Sequence, residues 1–146
     1  MEELVPIRNF AVVEEGKLYR SAQPMYDYEY KWLANKGIKT LVNLREELQH
    51  DQKFADEFGF KVIQVDIKDH FPPTVEQAQS FIELVKSSSE PILFHCEPGH
   101  GRTSTFCVLA RVAQGWTLED ALKEEQDKFG YVFKHQNQLD FLKALK

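Results

Sequence analysis

Apolar and polar residues follow two spacings along this chain, one of about two residues and one of about three to four. Extended alternation or short continuous apolar runs predict strands at residues 10–13, 18–19, 38–44, 62–67 and 91–94. Helical spacing predicts helices at residues 25–35, 47–58, 74–85, 103–113, 117–129 and 136–145. The first two strands, separated by Glu15–Gly16, have the pattern of a hairpin. The rest of the chain alternates strands with helices.

Glycines and a capping pattern mark the ends of the predicted helices. Gly37, Gly59 and Gly115 stand where three helices should end, and Thr74 followed by Gln77 has the pattern of a capping box. Alternating strands and helices indicate βαβ units, so we predict an α/β fold with a central, largely parallel sheet flanked by helices. No repeat or linker divides the 146 residues, and a single domain over residues 1–146 is expected.

The charge balance and the two cysteines narrow the expected partners and location. The chain carries 18 Lys and Arg against 23 Asp and Glu, a formal net charge of −5, whereas a nucleic-acid binder needs a basic surface. No apolar run approaches the roughly 20 residues that span a bilayer, and Met1-Glu2-Glu3 lacks the basic start of a secretory signal. Cys96 and Cys107 cannot form a disulfide framework. We therefore expect a cytoplasmic monomer that binds neither nucleic acid nor membrane.

Metal-ligand patterns are missing from the sequence. The five histidines lack ligand spacing, and the chain contains neither a CxxC nor an HxxxH pair. Cys107, flanked by Phe106 and Val108, is expected in the core. We predict that the protein uses no metal and no cofactor.

Residues 95–103, His-Cys-Glu-Pro-Gly-His-Gly-Arg-Thr, form the most specific pattern in the chain. They follow a predicted buried strand and precede a predicted helix, where open α/β sheets place ligands. Gly99 and Gly101 permit backbone angles that point successive N–H groups inward, and the helix N-terminus adds positive potential. Arg102 can meet two phosphate oxygens with its planar guanidinium. Cys96, at the mouth of this nest, is predicted to be a thiolate and a nucleophile for phosphoryl transfer.

The pattern His-Cys-x-x-Gly-x-x-Arg-Thr resembles the active-site loop of the protein tyrosine phosphatase superfamily, and of its small dual-specificity branch in particular. Residues 18–21 (Leu-Tyr-Arg-Ser) and 37–45 are similar to the early strands of small bacterial and plant members. The resemblance implies the cysteine-phosphatase fold. It also implies a two-step mechanism in which a cysteinyl-phosphate forms and water then hydrolyses it.

The same resemblance implies a role for each residue of the loop. Cys96 would attack phosphorus, while Arg102 and the loop amides would hold the phosphoryl oxygens. Thr103 corresponds to the hydroxyl that eases departure of the thiolate, and His95 to the residue that supports the thiolate.

Such a mechanism needs a general acid that later serves as a base for water. Residues 66–73, Asp-Ile-Lys-Asp-His-Phe-Pro-Pro, offer Asp66 and Asp69. Related dual-specificity and phosphoinositide phosphatases carry an Asp-His pair at a similar place, which favours Asp69. Asp66 follows the alternation of the preceding strand and is the alternative. Asp66 can also be a residue that only makes hydrogen bonds at the strand end, and Asp69 can be a solvated loop carboxylate.

The remaining loop residues set the rim of the pocket. We predict substrate contacts from the loop and from the acid segment, at Glu97, Pro98, Gly99, His100, Gly101, Lys68 and His70. Phosphoinositide 3-phosphatases that resemble this chain have lysines in the loop, which this chain lacks. Arg45, at a strand end, either buttresses the site or pairs with Glu46 or Glu47.

Residues beyond the loop bear on the substrate. After Arg102-Thr103 the chain continues Ser104-Thr105-Phe106, which resembles the bacterial phosphatase-like phytases, whose loops also begin His-Cys-Glu. That similarity implies hydrolysis of inositol polyphosphates; the alternative is a dual-specificity phosphatase acting on phosphoproteins. A polyanionic inositol needs cations around the mouth, for which the candidates are Lys68, His70, His100, Lys134 and His135. An inactive phosphate-binding module would lack Cys96, Arg102 or the acid, and all three are present.

Overall fold

A five-stranded sheet lies at the centre of this computed structural model, which describes residues 4–145. The strands are β1 (Ala11–Glu14), β2 (Leu18–Ser21), β3 (Thr40–Asn43), β4 (Lys61–Gln64) and β5 (Ile92–His95). Their order across the sheet is β1-β2-β5-β3-β4, with β1 antiparallel to β2 and every other pair parallel. The predicted hairpin and the largely parallel sheet are confirmed. The prediction about a secretory signal concerns residues 1–3, which lie outside the described residues.

The parallel register brings three strand ends together. Within the sheet, His95 pairs with Ser21 of β2 on one side and with Asn43 of β3 on the other. All residues of β2, β3 and β5 are buried, because helices cover both faces. The residue that follows His95 therefore leaves the sheet at its centre, at the carboxyl ends of the strands.

The described residues form six helices around the sheet: α1 (Asp27–Asn35), α2 (Gln52–Phe58), α3 (Val75–Ser87), α4 (Gly101–Ala113), α5 (Leu118–Asp127) and α6 (Gln136–Ala144). One core cluster contains Phe81, Phe94 and Phe106, and a second contains Tyr30 and Leu41. The first packs α3 and α4 against the sheet, and the second packs α1. None of the described helices is long and apolar enough to cross a bilayer.

Two predicted elements differ from the structure by three or more residues at one end. The helix expected from residue 47 begins at Gln52, because Glu47 lies in a turn where its carboxylate binds two arginines. The strand expected over residues 62–67 ends at Gln64. The capping box is confirmed, since Thr74 Oγ1 accepts the N–H of Gln77, whose side chain in turn accepts the Thr74 N–H.

Candidate active site

The loop between β5 and α4 holds Cys96 at the carboxyl end of β5, the middle strand of the sheet. Cys96 is buried, with 1% of its surface exposed, and its Sγ accepts a hydrogen bond from Thr103 Oγ1 at 2.9 Å. Helix α4 begins at Gly101, so its N-terminus adjoins the loop and contributes positive potential there. The hydroxyl donor and the helix N-terminus thus both place positive potential beside Cys96 Sγ.

Three successive carbonyl groups of the loop are bound from outside. The Gln23 N–H donates to Glu97 O at 3.0 Å, and Asn9 Nδ2 donates to Pro98 O. Arg20 Nη2 donates to Gly99 O at 3.1 Å. Carbonyl groups that are turned outward in this way leave the loop amides for an anion on the opposite side.

Arg20 is itself held in the core by an ion pair. Its side chain is 3% exposed, and Nη1 donates to Glu125 Oε1 at 2.6 Å. Nη2 also reaches Ser104 Oγ at 2.8 Å, and the guanidinium lies over the Phe129 ring, 4.5 Å from its centroid. Arg20 thus connects β2, the loop, α4 and α5.

Arg102 is fixed by acceptors on one side of its guanidinium. Nη1 and Nη2 bind the two carboxylate oxygens of Glu47 at 2.8 and 3.0 Å, and Nη1 also donates to Ile67 O at 2.8 Å. The hydrogen bonds from Arg102 lower the pKa of Glu47 to about 2. Nε of Arg102 is buried and has no hydrogen-bond partner among the described residues. That N–H is therefore available to an oxygen of a bound anion.

The two candidate acids lie in different surroundings. Asp69 is exposed, and its Oδ1 lies 3.5 Å from Arg102 Nη2. Asp66 accepts a hydrogen bond from Gln64 Nε2 at 2.9 Å and lines a groove between β4 and α3. The geometry thus brings Asp69 to the loop arginine.

A cavity of about 780 Å³ opens beside the loop. Its lining contains loop and acid-segment residues together with the segment between α5 and α6, namely Asp69, His70, Glu97, Pro98, His100, Gly101 and residues 130–135. His70 stacks on His135 with ring centroids 4.1 Å apart, and His100 stacks on Tyr131 at 5.8 Å. Four basic side chains, those of His70, His100, Lys134 and His135, therefore line one cavity.

Lys68 does not join this group. Its ammonium lies over the Phe71 ring, 5.0 Å from the centroid, and Lys68 is not among the described residues that line the cavity. The predicted substrate contact from Lys68 lacks geometric support for this reason.

Sequence reasoning missed three charged residues that surround the loop: Arg20, Glu47 and Asp51. Arg20 carried a signal, since it is a charged residue within a buried strand. Glu47 was considered only as a partner of Arg45, to which it does bind through Arg45 Nε at 2.9 Å. Asp51 lies in a polar stretch, and nothing in the sequence around it indicates a role at the site.

One cluster of possible metal ligands lies behind the loop. Cys107 Sγ and carboxylate oxygens of Glu124 and Glu125 lie within 4.8 Å of one another. Arg111 binds both oxygens of Glu124, and Arg20 binds Glu125, so arginines already balance both carboxylates. Burial raises the pKa of the Cys107 thiol well above its ordinary value, and a protonated thiol is a poor metal ligand.

The sequence and fold are similar to those of known phosphatases. The sequence profile of the family described as DSP-PTPase phosphatase fused to NAD+ kinase matches residues 7–142. Inositol diphosphatase DSP3 of Arabidopsis thaliana is 30% identical, with 97% of this chain and 71% of the relative covered. The crystal structure of Tk-PTP in the active form has a TM-score of 0.80 at 26% identity, covering 94% of this chain and 95% of that one.

A further likeness concerns the fold alone. The core catalytic domain of the PP-IP phosphatase SIW14 from S. cerevisiae, in complex with citrate, has a TM-score of 0.79 at 24% identity. The match covers 99% of this chain and 89% of that one. The predicted α/β cysteine-phosphatase fold is confirmed by these likenesses.

Replacing Gly99 with alanine should destabilise the protein and distort the loop. Gly99 has φ of +83°, and an added Cβ would lie 2.9 Å from Ala22 N and 3.0 Å from Ser21 C and O. We expect Gly99→Ala to cost about 2–4 kcal/mol in the free energy of unfolding, since backbone strain and a clash with backbone atoms add together.

Gly59→Ala is the matched control for urea denaturation. Gly59 has φ of +75° but nothing within 4 Å of an added Cβ, so only the conformational cost of about 1 kcal/mol remains. Equal losses in the two variants would contradict the argument from close packing against β2.

Proposed function

We propose that this chain, which belongs to the DSP-PTPase phosphatase family, hydrolyses inositol polyphosphates through a cysteinyl-phosphate intermediate. The observation that carries the proposal is the cavity of about 780 Å³ beside the loop that holds Cys96, which is lined by four basic side chains. The relative DSP3 is named an inositol diphosphatase, which agrees with a substrate that carries several phosphates.

In the first step, Cys96 Sγ attacks phosphorus in line with the leaving oxygen. The S–P bond forms while the P–O bond breaks, and the leaving oxygen takes a proton from Asp69. Arg102 Nε and the loop amides bind the non-bridging oxygens, where charge must be stabilised during transfer. Glu47 holds the guanidinium in place through bonds of 2.8 and 3.0 Å.

In the second step, water attacks the phosphorus of the cysteinyl-phosphate. Asp69, now a carboxylate, takes a proton from the water as the O–P bond forms and the S–P bond breaks. Thr103 Oγ1 donates to Cys96 Sγ at 2.9 Å and so stabilises the departing thiolate. Inorganic phosphate leaves, and the free enzyme is restored.

Local pairing offsets the acidic groups at the cavity mouth. Glu97 Oε1 lies 3.5 Å from Arg8 Nη2, and Asp69 lies 3.5 Å from Arg102. Lys134 lines the same cavity and supplies a cation for an additional phosphate. We propose substrate contacts from the rim residues that line this cavity and none from Lys68.

The finer assignments of partner and location are part of the same proposal. The residues of the proposed mechanism meet within one chain, so a single copy is sufficient for the proposed reaction on a small phosphorylated substrate. Cys96 must remain a thiol to react, and Cys96 and Cys107 are both free and buried, which supports a reducing compartment such as the cytoplasm.

A substrate panel tests the proposed function. We expect phosphate release from inositol hexakisphosphate or a diphosphoinositol to exceed that from phosphotyrosine peptides by about tenfold or more in kcat/KM. Cys96→Ser should abolish turnover of every substrate, including p-nitrophenyl phosphate. Faster turnover of the peptides would favour a protein phosphatase, and turnover that survives in Cys96→Ser would overturn the mechanism.

Replacing Lys134 with glutamine tests the cavity as the site for additional phosphates. We expect Lys134→Gln to raise KM for the inositol substrate by about threefold to tenfold, because one phosphate loses a cation. Kinetics on p-nitrophenyl phosphate should stay the same, since that substrate has a single phosphate. Lys143→Gln, on the last turn of α6, is the control. An equal effect of Lys134→Gln on both substrates would contradict the role of the cavity in binding additional phosphates.

Replacing Asp69 with asparagine tests the general acid. We expect Asp69→Asn to lower kcat by about a hundredfold on substrates with poor leaving groups, because the leaving oxygen receives no proton. The loss should be smaller on p-nitrophenyl phosphate, whose leaving group needs little protonation. Asp66→Asn is the matched control and should retain most activity. A larger loss in Asp66→Asn would reverse the assignment.

A further inference from the structure

His95, the residue before Cys96, has a buried acidic partner. Its ring is fully buried, and Nε2 lies 2.5 Å from Asp51 Oδ2. Asp51 immediately precedes α2 and is 44 positions away from His95 along the chain. The two side chains meet because His95 ends β5 on the side of the sheet that α1 and α2 cover.

Three donors surround the Asp51 carboxylate. Besides His95, Tyr30 OH donates to Oδ1 at 2.6 Å and Gln23 Nε2 donates to the same oxygen at 3.1 Å. Burial would raise the pKa of Asp51, but the charge on His95 and these hydrogen bonds outweigh it and hold the pKa below its ordinary value. Asp51 is therefore an anion inside the protein, with 1% of its surface exposed.

An ionised carboxylate fixes the protonation of the His95 ring. Because Asp51 can only accept, the proton of their hydrogen bond belongs to His95 Nε2. His95 Nδ1 is buried and has no hydrogen-bond partner among the described residues.

Other groups also face this pair and the thiol. Arg102 from α4 and Tyr131 from the segment before α6 both interact electrostatically with Cys96. Glu47 and Asp69 both pair with Arg102 and so affect Cys96 through it. On the other side, Tyr30 from α1 and Gln23 after β2 contact Asp51. Asp51 is the acidic partner of His95, whereas the other two carboxylates bind Arg102.

We propose that Asp51 is a positioning residue that keeps His95 protonated and thereby keeps Cys96 as a thiolate. Its negative charge stabilises the imidazolium, and the imidazolium stabilises the adjacent thiolate. Gln23 ties the arrangement to the loop, because its side chain binds Asp51 while its N–H binds Glu97 O. The proposal rests on Cys96 as the nucleophile of the proposed function, and it does not depend on which phosphate ester is the substrate.

The test is the pH dependence of Cys96 alkylation by iodoacetamide in the full chain, followed by mass spectrometry of the Cys96 peptide. We expect Asp51→Asn to raise the midpoint pH by about one unit, a tenfold loss of thiolate below the midpoint. The acid limb of kcat/KM should move in the same direction. If Asp51 acted on the thiolate only through its own negative charge, the midpoint would fall. A lowered or unchanged midpoint therefore overturns the proposal.

Tyr30→Phe is the control for disturbance of the buried cluster. It removes one hydrogen bond from Asp51 and leaves the charge, so we expect the midpoint to stay within about 0.3 pH units. A shift in Tyr30→Phe as large as that in Asp51→Asn would assign the effect to packing and overturn the proposal.

A second measurement covers the case in which Asp51→Asn does not fold. The ¹⁵N chemical shifts of the His95 ring in the unmodified protein should show both nitrogens protonated below the alkylation midpoint. A neutral ring, protonated at only one nitrogen, would overturn the proposal. Alkylation and NMR use no substrate, so failure of the proposed function, seen as turnover in Cys96→Ser, remains distinguishable from failure of the role of Asp51.

Discussion

The parallel register of β2, β5 and β3 is the constraint on which the site depends. His95 pairs with Ser21 on one side and Asn43 on the other, so the segments that follow β2, β5 and β3 leave the sheet at the same level. The segment after β2 supplies Gln23, which binds the loop and Asp51, and the turn after β3 supplies Glu47, which binds Arg102. A slip of one residue in either pairing would turn these side chains to the opposite face of the sheet.

Three ion pairs then fix the loop from different directions: Arg20 with Glu125, Arg102 with Glu47, and His95 with Asp51. Buried ion pairs contribute little net stability, because the cost of removing charges from water offsets most of their attraction. What these pairs contribute is the positioning of charged groups around the loop. Each pair places one charged group against the Cys96 loop, and the carboxylate of each pair comes from a different part of the chain. Arg102 keeps an unpartnered N–H for the anion, whereas Arg20 binds the outward carbonyl of Gly99.

The sequence was sufficient where the signal is local. The glycine-rich loop, the capping box at Thr74 and the alternation of strands with helices depend on residues close together in the chain. Glu47 was predicted to be helical because its neighbours favour a helix, but a contact with Arg102, 55 positions away, holds it in a turn. Asp51 could not be found from the sequence for the same reason, since its partner His95 lies on β5, 44 positions away.

The negative net charge of the chain and a polyanionic substrate are compatible because electrostatic effects are local. A net charge of −5 spread over the surface is screened within about 10 Å at ordinary ionic strength. At the cavity mouth, Glu97 lies 3.5 Å from Arg8 and Asp69 lies 3.5 Å from Arg102, so each carboxylate that lines the cavity has a cation beside it. Burial, together with the charges of Arg20 and Lys134, lowers the pKa of His100. Lys134 and the stacked rings of His70 and His135 line the same cavity mouth, so these few residues, and not the net charge, set the cationic side of the site.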